Sequence, residues 1–314
     1  MNRALVWLLR ATGALVGMVG LCVAVAIVRV APIDVRGLAR RVPERTALMQ
    51  QRAREARERG RAHAESRYWV SLDRISPRLR GAVLVAEDAR FFSHEGFDWN
   101  EIRESARRNF RARRVVRGGS TITQQLAKNL WLSTAQTPWR KFEEMILAVR
   151  LERSLSKRRI LELYLNTIEW GDGIYGAEAA ARHWFGVSAA SLAADQAIRL
   201  AAVIINPRRY SPTELTPRIE DRIRIIAGRL RMRGAISDAE YRLAVGLPPE
   251  APAPEVDSSF VTAPVDSGTP APPGEPGNGR EPIPGEVQPE DPTPGSPPPV
   301  TDSLGLSRSR ESMR

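Results

Sequence analysis

The sequence is poor in the side chains from which most metal and redox sites are built. Among 314 residues there is one cysteine, Cys22. No intrachain disulfide can form, and no CxxC metal or redox pair exists. The histidines, His63, His94 and His183, lie far apart with no HExxH spacing, which excludes a helix-borne zinc site of that kind. Acidic residues are outnumbered: Asp and Glu total 36 against 47 Lys and Arg, a net charge of +11. That balance favours a polyanionic partner, whether nucleic acid, anionic membrane or a phosphorylated ligand. Internal repeats are lacking, and alternating β-branched runs are few. The chain has room for one large or two small domains with tails.

One long uncharged stretch is present, "ATGALVGMVGLCVAVAIV" from Ala11 to Val28. With its flanks it is long enough to span a bilayer, and no small-x-small cleavage site follows before Arg29. The expected organisation is a short N-terminus (1–10), a retained membrane anchor (11–30), an Arg-rich juxtamembrane helical stalk (31–67), a folded domain (68–247) and a disordered Pro-rich tail (248–314). Arg3 and Arg10 precede the span, whereas Arg29, Arg36, Arg40 and Arg41 follow it. Charge counting alone therefore leans toward the bulk of the chain lying inside.

Within 68–247 helical spacing dominates. "SPRLRGAVLVAEDARFF" opens with Ser76 as N-cap and Pro77 at the first helical position. "STITQQLAKNLWL", "WRKFEEMILAVRLERSL", "KRRILELYLN", "GAEAAARHWF" and "SLAADQAIRLAAVI" also read as helices. Their breaks fall at "RGGS", "STAQTP", "EWGDGIYG" and "NPRRYSP".

Four segments carry candidate chemistry. On the first helix Glu87 shares a stripe with Val83, Leu84 and Phe91 and sits near the C-terminal end, where the helix dipole disfavours negative charge. Both factors raise its proton affinity and suit a general acid or base. The alternative is that Glu87 or Asp88 simply pairs with Arg90 or another arginine.

In "RGGSTITQQLAKNLW", Gly118 and Gly119 permit a tight turn and Ser120 can cap the following helix. Ser120, Gln124 and Lys128 form a polar ridge, about 200° from the apolar ridge of Ile122, Leu126 and Leu130. The pattern fits either a phosphate cradle or an ordinary amphipathic surface helix. The third segment, "WRKFEEMILAVRLE", has apolar residues on both sides. Glu144 is expected to be partly buried beside Arg140, and Glu143 to be solvated near Arg150. In the fourth, Leu161, Leu165 and Ile168 suggest core, while Asn166 and Gly171, Gly173 and Gly176 suggest a shaped loop. An S-x-x-K match at Ser154 and Lys157 stands alone, without SDN-like or KTG elements, and reads as chance.

Taken in order, "EDARFFSHEGFD", "RGGSTITQQLAKNLWLS", "RKFEE", "RRILELYLN…GDGIYGAEAAARHWFG" and "NPRRYSP" resemble the motifs of the peptidoglycan glycosyltransferases, family 51, in their monofunctional biosynthetic form. The resemblance implies a mainly α-helical, lysozyme-like bilobal domain after an N-terminal transmembrane helix. It implies polymerisation of lipid II with inversion at the donor carbon, Glu87 as base and Glu144 as second carboxylate. Substrate-binding positions would be Asp88, Phe91, His94, Ser120, Thr121, Gln124, Gln125, Lys128, Asn129, Arg140 and Asn166. No cofactor is required, although a divalent cation, Mg or Mn, could assist the diphosphate. Implied partners are lipid II, the growing glycan strand and proteins of cell-wall synthesis or division, with no nucleic acid.

The implied location is the bacterial inner membrane, single-pass, with the catalytic domain on the periplasmic side. Two positions depart from the family pattern, Glu104 and Gln136, where cations are usual. Arg103, Arg107 and Arg140 are the nearby substitutes. Competing readings are a lysozyme-like lytic enzyme and a non-catalytic basic membrane scaffold.

Overall fold

The computed structural model describes residues 3–112, 119–132 and 138–249, apart from the side chains at 109, 112 and 138. Gly118, Gln136, most of the "STAQTP" break and the tail from 250 lie outside the described residues. All that is described belongs to one compact unit, Met1–Ala253.

The fold is mainly helical. Its helices are α1 (Arg3–Val30), α2 (Ala47–Glu58), α3 (Pro77–Glu87), α4 (Trp99–Ala112), α5 (Ile122–Trp131), α6 (Pro138–Ser154), α7 (Lys157–Thr167), α8 (Ala177–Phe185), α9 (Ala194–Val203), α10 (Pro217–Met232) and α11 (Asp238–Ala244). The glycine-bearing stretch expected to be a loop contains two strands, β2 (Glu169–Gly171) and β3 (Ile174–Tyr175). They join β1 (Ser66–Arg67) in the order β1-β3-β2. Strand β3 runs parallel to β1 and antiparallel to β2. Gly173 turns the β2–β3 connection at φ +74°, and a Cβ there would meet the Ala64 carbonyl at 2.1 Å, so only glycine fits.

Local signals explain most helix ends. Ser76 precedes Pro77 as expected, but its hydroxyl donates to the Leu192 carbonyl at 3.1 Å rather than capping α3. Helix α5 is capped by Thr121, one residue after the expected Ser120. Thr121 and Gln124 form a reciprocal capping box. Helix α8 ends at Gly186 in the left-handed conformation, φ 68°.

The core joins α3, α5, α6, α7, α8, α9 and α10. Ile122, Leu126, Leu147, Leu151, Ile160, Leu165 and Ile198 are fully buried within it. Each such side chain contributes roughly 1.5–3 kcal/mol of burial. Helix α5 is buried almost all round, because Thr123, Gln124 and Asn129 are enclosed along with its apolar ridge.

The segment 31–67 is only partly solvated. Val35 and Leu38 enter the main core, and Leu48 and Met49 pack on Tyr175. Arg52 of α2 meets Glu169 of β2 at 3.1 Å and Glu55 at 3.0 Å. Some of its arginines are tied to acids or backbone: Arg45 pairs with Glu65, and Arg67 donates to the carbonyls of Pro43 and Glu44.

Helix α1 is long and apolar enough to cross a membrane, with a mean hydropathy of 2.4 in its most apolar window. Its last turns pack on α6 through Ala26 and Val30. Arg150 of α6 donates to the carbonyls of Val30 and Ile33, the latter at 2.7 Å. Glu143, expected to be solvated, is buried and ion-paired with Arg29 at 2.5 Å.

Candidate active site

Helix α3 ends on Glu87, and Asp88 is its C-cap. Consecutive carboxylates at a helix end point in different directions. Asp88 turns inward and is buried. One of its oxygens accepts the Ile122 N–H at the N-terminus of α5, at 3.0 Å, and both lie 3.0 Å from His94 Nε2. His94 Nδ1 accepts the Gly96 N–H at 3.2 Å, which leaves Nε2 as the nitrogen that donates to Asp88. The positive end of the α5 dipole favours a carboxylate there. Asp88 and His94 therefore fix the start of α5 against the end of α3.

Glu87 points into a cleft of ≈ 650 Å³. Its side chain is 15% exposed. The carboxylate does not sit wholly among apolar groups, as its stripe suggests. Gln125 Nε2 donates to its Oε2 at 2.9 Å, and Arg222 of α10 lies 3.5 Å from its Oε1. Gln125 is in turn oriented by the Tyr164 hydroxyl, which donates to its Oε1 at 2.9 Å. Burial pushes the Tyr164 phenol well up, and the charges of Glu87 and Asp88 add to this, so it remains a donor. Arg90, the neighbour most obvious in sequence, pairs with Asp98 instead.

Lys128 lies on the same cleft wall. Burial pushes its ammonium below the usual lysine value. Glu144 pulls it back up, Arg140 and Lys141 push it further down, and Glu87 opposes them. Both carboxylates therefore act on Lys128. Glu144 is buried, as expected, and holds two cations: Arg140 at 2.9 Å and Lys141. Lys141 also donates to Ser120 Oγ at 3.3 Å. Ser120, Lys141, Glu144, Arg140 and Lys128 thus make one charged cluster spanning α5 and α6.

Of the sequence-derived candidates, the cleft is lined by Glu87, Asp88, Ser120, Thr121, Gln125 and Lys128. The others stand behind it. Phe91 is core, with the Lys157 ammonium 4.4 Å from its ring centroid. Gln124 is buried, its side-chain carbonyl accepting the Thr121 N–H at 2.9 Å. Asn129 is buried in α5. Asn166 is wholly buried. It donates to the Val70 and Glu162 carbonyls at 2.9 and 2.8 Å and accepts the Val70 N–H at 3.0 Å. It is a clamp on the approach to α3 and not a cleft residue. Thr121 joins cleft and scaffold, since its hydroxyl also donates to the Gly96 carbonyl at 2.7 Å.

Sequence reasoning missed Arg108, Arg222 and Arg229, all on the wall, and Lys141 behind it. Lys141 is visible in "RKFEE", whereas Arg222 and Arg229 lie beyond the quoted motifs. Glu104, the departure from the family cation, pairs with Arg108 one turn on. Arg108 lines that side of the cleft, together with Arg90.

Among the described residues no group of three His, Cys, Asp or Glu side chains could cage a metal. Asp88 and Glu144 are already occupied by protein donors. The described residues do not form a cage for a resident divalent cation.

Comparison with known proteins shows the family. A family model described as transglycosylase matches residues 53–231. The biosynthetic peptidoglycan transglycosylase of Nitrosospira multiformis is 48% identical over 188 residues, covering 60% of this chain and 82% of that protein. The protein of the same name from Methylobacillus flagellatus is 55% identical over 163 residues, 52% of this chain and 71% of its own. That from Laribacter hongkongensis is 54% identical over 170 residues, covering 54% and 74%. The matched stretch contains α3, α5, α6 and α10, the elements that carry the cleft carboxylates and cations, and the chain belongs to the transglycosylase family.

Proposed function

We propose that this transglycosylase polymerises lipid II with Glu87 as general base. The chain is an enzyme of peptidoglycan glycan-strand synthesis. In the proposed step the 4-hydroxyl of the acceptor sugar meets Glu87, which takes its proton as the oxygen attacks the anomeric carbon of the lipid-linked donor. The C–O bond to the diphosphate breaks, and the diphosphate leaves with its electron pair. Attack from the face opposite the leaving group converts an α-linked donor into a β-linked product, as in two-carboxylate glycosidases with a sugar hydroxyl in place of water.

The leaving group is an acidic diphosphate and needs cations more than a proton. Lys128 supplies one in the cleft. Lys141 and Arg140 stand behind it, held in place by Glu144, so Glu144 acts as a positioning residue for the cations. Buried and already doubly paired, it is poorly placed to move a proton itself.

The observation that carries this reading is the setting of Glu87: a cleft carboxylate fixed by Gln125, with Lys128 on the same wall. Helix α1 supports a single-pass membrane anchor, and the proposed setting is the bacterial inner membrane with the catalytic unit on the periplasmic side. Proteins of cell-wall synthesis or division are the expected partners.

Purified full-length protein incubated with lipid II should give long glycan strands when products are separated by size. Lipid II whose acceptor 4-hydroxyl is blocked should not extend as acceptor. Shortening of finished glycan without use of lipid II would favour the lytic reading instead.

A further inference from the structure

Glu87 is steadied from a second side by a residue outside the motif segments. Arg222 stands on α10, and its Nε–H donates to the Ala202 carbonyl at 3.0 Å. Ala202 belongs to the last turn of α9. Carbonyls there lack intrahelical partners, and the negative end of the helix dipole favours a cation. The end of α9 therefore fixes the guanidinium independently of Glu87. The terminal nitrogen then falls 3.5 Å from Glu87 Oε1. Both side chains are on the cleft wall, 26% and 15% exposed.

The two carboxylate oxygens are consequently not equivalent. Oε2 is held by Gln125 at 2.9 Å, whereas Oε1 faces Arg222 across 3.5 Å. The 3.5 Å contact leaves Oε1 free to accept a hydroxyl from the cleft while the guanidinium stays beside it. The other ionisable groups acting around Glu87 are Lys128 of α5, the Tyr164 phenol of α7 and the adjacent Asp88.

We infer that Arg222 is a positioning residue for the base, holding Oε1 of Glu87 turned into the cleft where the acceptor hydroxyl arrives. This rests on Glu87 being the base. In the step itself the acceptor O–H breaks and its electron pair forms the bond to the anomeric carbon. The diphosphate leaves with the pair of the broken C–O bond, and the proton comes to rest on Oε1 before passing to water. The effect of Arg222 is on the direction of one carboxylate oxygen.

The test uses the full-length protein with lipid II. Arg222→Gln should lower kcat by about 10²-fold, the cost of a small misplacement of a reacting group, with KM for lipid II little changed. Arg222→Lys keeps the charge without the two-pronged fork and should recover part of the loss. Activity of Arg222→Ala should rise on adding guanidinium chloride but not on adding NaCl at equal ionic strength. Unchanged kcat in Arg222→Gln would overturn the inference. So would a loss that follows the melting temperature and resists guanidinium, because that marks a mere tie between α9 and α10. If Glu87→Gln is inactive while Arg222→Gln is fully active, only this inference fails. If Glu87→Gln is active, the assignment of the base fails.

Discussion

Gln125 reaches from α5 to α3 and donates to Glu87 Oε2 at 2.9 Å. A surface carboxylate would swing freely. This one is held by an amide whose own orientation is set by the buried Tyr164 hydroxyl, also at 2.9 Å. Core and cleft are thus joined in three side chains. Tyr164→Phe removes the hydroxyl and leaves the Gln125 carbonyl without that donor. The expected cost is about 1–3 kcal/mol of stability and up to about 10²-fold in kcat. Denaturant unfolding and steady-state polymerisation check the two effects, and an unchanged kcat would detach Tyr164 from the base.

Asp88 and Glu87 should separate in their phenotypes. Asp88 fixes the start of α5 and pairs with His94 in a buried site. Asp88→Asn should therefore lower stability by about 1–3 kcal/mol and activity with it. Thermal unfolding of the two variants side by side is the check, with Glu87→Gln expected to melt close to the parent.

Lys128 should set the alkaline limit of activity. Its folded-state value lies below the ordinary lysine value of 10.5 because of burial, and the cationic form is the one that stabilises a diphosphate. The alkaline limb of kcat/KM should fall below 10.5. In Lys128→Arg it should move up or vanish, since arginine stays charged. For stability the sign is reversed: between the folded and unfolded values the unfolded chain binds more protons, so stability rises with pH through that window. Lys128→Met should accordingly raise the melting temperature near neutral pH while abolishing polymerisation.

Gln124 distinguishes scaffold from substrate contact. The capping box occupies its side-chain carbonyl. Gln124→Ala should cost about 0.5–2 kcal/mol and leave KM for lipid II unchanged. A raised KM with full stability would return Gln124 to the substrate.

The apolar spacing of α3, α5, α6, α7 and α9 made these helices legible in the sequence, and Ser76–Pro77 marked the start of α3 within a residue. Glu87 and Lys128 were legible as cleft candidates because each lies in a helix that also carries a clear apolar ridge. What sequence could not show was the second layer. Gln124 looks like a ridge residue until the N-cap is seen to be Thr121 rather than Ser120, which turns its amide inward. Segment 31–67 looks solvated because its many arginines hide the few buried positions, Val35, Leu38, Leu48 and Met49, that hold it to the domain. Glu143 appears free until α1, distant in sequence, brings Arg29 to it. Arg222 meets Glu87 across 135 residues, and no local spacing encodes that contact.

The most direct measurement compares the full-length protein with Glu87→Gln on lipid II, following glycan length together with thermal unfolding. The variant should fold, still bind lipid II through Lys128 and its neighbours, and make no polymer. Strands of parental length from folded Glu87→Gln would contradict the account at its centre.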